Sequence, residues 1–395
     1  MLSLGNSIIT SNVRQHEFSL NTNGTDQYLD FGNTLNLGGN DFTISFWVKF
    51  SDATDQRFFS KYQGNDDQLI IRTASSDKIF VKFTKDSNAV ISKTAPTAIT
   101  SLENTWIHIL LSCDRDGAVN LYVNNSNTGV GFSETSANSG QNLDNTGSLQ
   151  LSEHANSFSA LKITDFAMWN VALDSDAVAA VYNSGKPFNL LSDRGNYDNS
   201  SSLIGYWKIG DGPFDNKLAG LIHDTHNPGY GPELLGTAYD FSSNSGWDFS
   251  PADGWSIDTT AKRARRTGHS DNSDIRKSIT VEAEAVYELR YKRTYVSGGL
   301  TTNAFSDWVT DGSNSTIGNF NDPVNNSVVV IDHFRPKYSG TLSVRIFGIG
   351  DFDGFLEYVS CKKVNGFPGL TSITFDSSNA ELVSTSMFVS DHPNL

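Results

Sequence analysis

The stretch from Asp41 to Phe50, reading DFTISFWVKF, leaves this chain few folds to choose from. Phe42, Ile44, Phe46, Val48 and Phe50 fall on one face of an extended segment, and Thr43, Ser45, Trp47 and Lys49 fall on the other. A strand that lines up large apolar side chains needs a second apolar layer against it, as a β-sandwich provides. Arg57 to Tyr62, Gln68 to Thr73 and Lys78 to Lys85 continue as short strands with polar turns between them. Trp106 to Cys113 and Val119 to Val123 form a hairpin around Asp114, Arg115, Asp116 and Gly117, where the glycine supplies positive φ. Leu161 to Trp169 is another apolar strand. After it, Asp174 or Ser175 can cap a short helix that runs through Tyr182 and stops at Gly185, burying Ala177, Val178, Val181 and Tyr182.

The organisation changes at Leu203 to Gly212, LIGYWKIGDG, which reads as the last strand of one sandwich. A chain of 395 residues suits two such domains. The expected order is an arm over 1–17, a sandwich over 18–212, a connector over 213–232, a second sandwich over 233–365 and a carboxy-terminal arm over 366–395. The expected class is all-β: two tandem antiparallel β-sandwiches with terminal arms. The Gly, Pro and polar residues of the connector predict a loose, protease-sensitive link between modules that fold independently.

A formal charge of −15 disfavours non-specific binding to nucleic acid or to anionic membranes. No run approaches the ~20 apolar residues needed to span a bilayer, so membrane insertion is not expected. Cys113 and Cys361 each sit in an apolar strand-like run, and buried free thiols are preferred to a disulfide. No cationic, apolar leader is visible, which fits folding in a cytosol.

Within the first half, YLDFGN, DFTISFWVKF, WIHILLSCDRDGAVNLYVN, ITDFAMWNVALDSDAVAAVYNSG and LIGYWKIGDG follow the order found in concanavalin-like laminin-G and pentraxin-like sandwiches, which they resemble. From Glu233, ELLGTAYDFSSNSGWDFSPADGWSID, IRKSITVEAEAVYELRYKRTYVSGG and GTLSVRIFGIGDFDGFLEYVSCKKV are similar to jelly-roll carbohydrate-binding modules. That second resemblance implies a calcium ion, Ca2+, as the candidate cofactor, held by the matching positions Asp240 and Glu357. Glu357 departs from the usual Asp.

Catalytic chemistry is missing from the legible strands. Glycan hydrolases of the concanavalin type alternate acidic residues along one strand so that the carboxylates share a cleft. No such strand occurs here. Glu282 and Glu284 alternate but read as a solvated face, while Asp114, Asp116, Asp351 and Asp353 sit in Gly-containing turns. His223, Asp224, Thr225 and His226 could face one metal, yet Asn227, Pro228 and Gly229 make the run ordinary turn chemistry.

The candidates are therefore for binding. Trp47, on the outer face of its strand, could stack on a sugar unless a neighbouring strand or subunit covers it. Tyr295, beside Arg293 and the Gly298, Gly299 turn, could line a cleft. Lys262, Arg263, Arg265 and Arg266 could take a sulfated or carboxylated glycan or an acidic partner, or else form a charged edge that discourages strand aggregation. Met1, Leu2, Leu4, Ile8 and Ile9 mark the amino-terminal arm as an attachment element. Ile373, Phe375, Leu382, Val383, Met387 and Phe388 likewise cannot be buried by their own arm.

The sequence thus points to a non-enzymatic structural and adhesive protein of a bacteriophage particle, such as a head decoration, fibre or tail-associated subunit. It would fold in the host cytoplasm, sit on the virion surface, and contact capsid or tail proteins, copies of itself, or polysaccharide. The alternative is a glycan-active enzyme or its carbohydrate-binding accessory protein.

Overall fold

The computed structural model describes residues 17–217, 220–268, 273–297, 305–310, 316–322, 328–336, 338–348, 353–371 and 387–393, with 305–310, 316–322 and 328 described as backbone alone. Its main sheets form two antiparallel pairs, the all-β tandem sandwich expected from the alternation. Phe42–Phe50 sits in the middle of its sheet, between Ile107–Cys113 and Leu161–Trp169. The facing sheet carries Arg57–Gly64, Asp67–Thr73, Ile79–Lys85 and Asn88–Thr94 in meander order. Phe42, Ile44, Phe46, Val48 and Phe50 all meet this sheet's apolar face, and Phe42 stacks on Phe83 at 5.4 Å between ring centroids. Burying each such side chain is worth about 1.5–3 kcal/mol.

The helix Ser175–Tyr182 is capped by Asp174, whose side chain accepts a hydrogen bond from the Ala177 amide at 2.8 Å. Asn183, in the left-handed region at φ 46°, ends it ahead of Gly185. Ala177, Val178 and Val181 face inward with Trp169, Leu190, Tyr197 and Tyr206, a second apolar cluster on the outer side of the first sheet. The first module therefore has a third layer.

The second module pairs two further sheets around Trp255, Ile275, Tyr287, Leu289, Tyr291, Val344, Ile346, Leu356 and Val359. One sheet runs Trp255–Asp258, Arg263–Arg266, Asp353–Val364, Tyr287–Ser297 and Val328–Phe334. In the other, Ser273–Val281 lies beside Gly340–Gly348.

The described residues of 213–232 are not the loose link that their composition suggests. Leu221–Ile222 pairs with Gly369–Thr371, which pairs in turn with Leu29–Asp30 of the first module. Tyr230 and Glu233 join the second module through Val364 and Lys362. Between them His223, Asp224 and Thr225 are buried. Asp215 accepts backbone hydrogen bonds from Gly210, Gly212 and His223. Across the joint the Arg335 guanidinium bonds the Asp30 carboxylate and its carbonyl, and Trp207 donates to the Phe367 carbonyl at 2.8 Å.

The carboxy-terminal segment also returns to the first module. Phe388–Val389 adds to the edge of Ser19–Asn21, and Met387 is fully buried. Asp391 accepts from Lys49, Lys162 and the Trp106 indole; burial alone would raise its pKa, but these donors outweigh it and hold it at about 2. His392 meets the buried Asp165 at 2.7 Å. Met1, Leu2, Leu4, Ile8 and Ile9, together with Ile373, Phe375, Leu382 and Val383, lie outside the described residues.

Two predictions follow from this joint and its buried groups. Native protein should resist proteolysis across 213–232 and unfold in one calorimetric transition. Arg335→Ala should cost about 1–3 kcal/mol by removing the charged partner of Asp30, which keeps only its neutral donors Gly32 and Gln150; ready cleavage there, or two separate transitions, would contradict the coupling.

The second concerns acid. Burial depresses His108 to about 3, and His154 and His223 to about 4. An unfolded imidazole protonates near 6.5, so below that pH the unfolded chain takes up protons that the folded chain refuses. The stability these groups contribute is full above about 6.5 and is lost as pH falls through 4. Asp215, raised by burial to about 6, works in the opposite direction, as do Asp224 and Glu153, which burial also raises, but the three histidines carry the larger displacements. The thermal midpoint should therefore fall between pH 7 and pH 4, and a flat midpoint over that range would contradict this.

Candidate functional site

The second module's sheet has an outer face built by simple alternation. Tyr287, Leu289, Tyr291 and Arg293 point into the core, so Glu288, Arg290, Lys292 and Thr294 point out. On the neighbouring strand Leu356, Val359 and Cys361 are buried, and between the first two the register slips: Arg293 pairs with Leu356 but Lys292 pairs with Tyr358. Glu357 is the extra residue of this β-bulge. Such bulges re-aim side chains, and here Glu357 and Tyr358 reach the same outer face.

The Glu357 carboxylate accepts from Lys292 Nζ at 2.6 Å and from Thr294 Oγ1 at 2.7 Å. Those two bonds hold its pKa below the usual carboxylate range. Tyr358 lies opposite Lys292, which on its other side is opposite Val329, 49% exposed. Arg265 lies opposite Phe355, with Arg263 and Arg265 centred 4.1 and 5.3 Å from that ring. At the other end Glu288 is bonded by Tyr230, His333 and Arg290. Burial opposes the charge on Glu288, but these partners outweigh it and hold its pKa at about 2. The result is a half-buried tyrosine, an apolar neighbour and a fixed set of donors and acceptors on one outer sheet face, which is the chemistry that packs on a sugar ring and bonds its hydroxyls.

A cleft of about 1240 Å³ separates the two modules, with Ile204, Phe367 and Ala285 on its walls. Its carboxylates are engaged in structure. Asp224 accepts from the backbone of Tyr206 and His226, Glu282 pairs with Lys363 at 2.6 Å, and Glu284 accepts from the Asn33 amide at 3.2 Å.

The residues singled out from the sequence are dispersed. Trp47 is 4% exposed: the outer face that alternation assigns to it is covered by the helix, with Tyr182 stacked on its ring at 5.8 Å and His108 at 4.9 Å. It cannot serve as an open sugar platform. Arg293 is buried in the second core, and Tyr295 packs half-buried against it, so neither lies on the open face. The basic cluster is split. Arg266 is buried and bonds Ser273, Arg265 pairs with Asp353 at 2.9 Å, and Lys262 pairs with Asp240 at 3.2 Å. Arg263 lies over Phe355.

Asp240 and Glu357, the calcium candidates, are engaged by different lysines. No group of three or more His, Cys, Asp or Glu side chains suited to a metal occurs among the described residues. Cys113 and Cys361 are free and buried, and burial raises both thiol pKa values, Cys113 to about 12. No helix among the described residues is long and apolar enough to cross a membrane. Tyr358 and the Glu357 bulge were not singled out from the sequence. Only the outward set Glu288, Arg290, Lys292 and Thr294 on the next strand signals that face.

Residues 23–179 match the family model for the concanavalin A-like lectin/glucanases superfamily. The first module thus has the fold of a concanavalin A-like, laminin-G-type sandwich, and the match covers less than half of the chain. Among solved structures, the chain is similar to a heptameric SAP-like pentraxin from Limulus polyphemus, at 17% identity over 44% of this chain and 85% of that one, TM-score 0.32. It is similar to the CBM22-1 xylan-binding domain of Paenibacillus barcinonensis Xyn10C, at 16% identity over 34% and 96% of the two chains, TM-score 0.26. The enzymatically active domain of tailspike protein 2 from bacteriophage CBA120 aligns at 16% identity over 48% of this chain and 30% of its own, TM-score 0.32. No curated protein matches the chain.

Trp47→Ala should behave as a core deletion, costing about 3–5 kcal/mol of stability. Glycan binding should be unchanged at temperatures where the variant stays folded. Selective loss of glycan binding with an unchanged unfolding midpoint would return Trp47 to the binding surface.

Proposed function

We propose that this protein is a non-enzymatic adhesive component of a bacteriophage particle, a head decoration, fibre or tail-associated subunit that binds glycans through the outer face around Tyr358. The observation that carries the glycan reading is the Glu357 bulge. It sets a carboxylate with two fixed donors beside a half-buried tyrosine on the outer sheet face. Sugar recognition needs that pairing of an apolar platform with oriented hydrogen-bond groups.

The virion placement is supported by the tandem of two sandwiches and by a net charge of −15, which suits a protein displayed at high local density. Capsid or tail proteins, or further copies of the chain, are the attachment partners in this reading, with the amino-terminal arm as the attachment element. The site would be the virion surface.

Two measurements test it. A glycan array on the intact chain should give binders that Tyr358→Ala weakens about tenfold or more, the loss of about 1.4 kcal/mol expected of an aromatic anchor. Quantitative proteomics of purified particles should find the protein at a fixed copy number. Hydrolysis of any bound glycan would favour the enzymatic alternative, and absence from particles would remove the virion role.

A further inference from the structure

The open face has an unequal charge inventory. Arg265 is matched by Asp353, Lys292 by Glu357, and Arg290 by Glu288. Arg263 differs from these three: its guanidinium lies 4.1 Å above the Phe355 ring rather than on a carboxylate. It is on the outer face because Ala264 and Arg266, the alternate positions of its strand, are buried. The register of Ala264 with Leu356 places it beside Glu357, whose carboxylate senses its charge. A guanidinium stacked on an aromatic ring is oriented, and its N–H edges stay available to a planar or tetrahedral oxyanion.

We propose that Arg263, supported by Phe355 and flanked by Arg265, is a subsite for an anionic substituent on a glycan, either a carboxylate or a sulfate ester. This rests on the glycan reading of the same face and adds the substrate class. A chain carrying −15 repels polyanions in general, so attraction of an acidic polysaccharide requires a local cationic group. The Arg263–Phe355 stack supplies one beside the strand that carries Tyr358 and two strands from Lys292, within the reach of neighbouring sugar units.

The experiment compares binding of the full chain to dextran, dextran sulfate and polygalacturonate. The variants are Arg263→Gln, Arg263→Lys and, as an equal charge change on the exposed surface of the first module, Lys186→Gln. Thermal midpoints confirm that each is folded.

Arg263→Gln should weaken binding to at least one acidic polymer by about fivefold or more. It should leave any dextran binding unchanged. Arg263→Lys should recover only part of the loss, because it keeps the charge without the fork, and Lys186→Gln should match the parent. Binding to dextran sulfate alone assigns sulfate, and binding to polygalacturonate alone assigns carboxylate. Equal losses for Arg263→Gln and Lys186→Gln, or binding to dextran only, would overturn this subsite and leave the glycan reading intact. If none of the three polymers binds and a glycan array is also empty, the glycan reading fails together with the subsite. Arg263-dependent binding to polyglutamate without any polysaccharide binding would overturn the proposal in favour of an acidic protein partner.

Discussion

The short strand Gly369–Thr371 is the contact on which the arrangement of the two modules depends. It leaves the second sandwich through Val364, passes Phe367 beneath the Trp207 indole, and enters the first module's sheet between Leu29–Asp30 and Leu221–Ile222. A strand edge with unpaired amides is a liability in water, and here one module's exit closes the edge of the other. Once it is in place, Arg335 can reach Asp30 and Glu284 can reach Asn33. Removing those bonds would cost more than their number suggests, since Asp224 and His223 are buried in the same joint.

Lys61 shows how tightly this end of the first sandwich is built. Its ammonium is buried inside a β-sheet, a costly position unless every proton has an acceptor. It donates to the Asn33 side chain at 2.7 Å and to the carbonyls of Thr34 and Gly147 at 3.2 and 3.0 Å. Burial still depresses its pKa to about 8, with Asp144 and Glu284 acting in the other direction. Glu284 belongs to the second module, so the acceptor set that tolerates a buried lysine in one sandwich is backed by a charge from the other.

The strands and the helix were legible because each is encoded within a dozen residues. Phe42–Phe50 follows from two-residue alternation, Leu161–Trp169 from an apolar run, and Ser175–Tyr182 from a capping aspartate and an apolar stripe. What lies across a face was not legible. Alternation puts Trp47 on the outer side of its sheet correctly, but it cannot say that a helix more than a hundred residues later will cover it. The packing of the connector was hidden for the same reason: His223, Asp224, Thr225 and Gly229 look like solvent-facing turn residues until the chain beyond Val364 returns beside them.

The binding face was hidden by a subtler effect. A strict two-residue period carried through Asp353–Val364 would put Tyr358 with Leu356 in the core and Val359 outside; the bulge at Glu357 reverses both. A one-residue slip moves every later side chain to the opposite face, and no local feature of LEYVS announces it. The cause lies in the packing: Val359 and Cys361 fill the second core, which Tyr358 and Ser360 would fill poorly, with a phenol and a hydroxyl that need partners. Expelling Tyr358 from the core thus follows from filling that core well, and the same slip presents Glu357 to Lys292, Thr294 and the neighbouring Arg263.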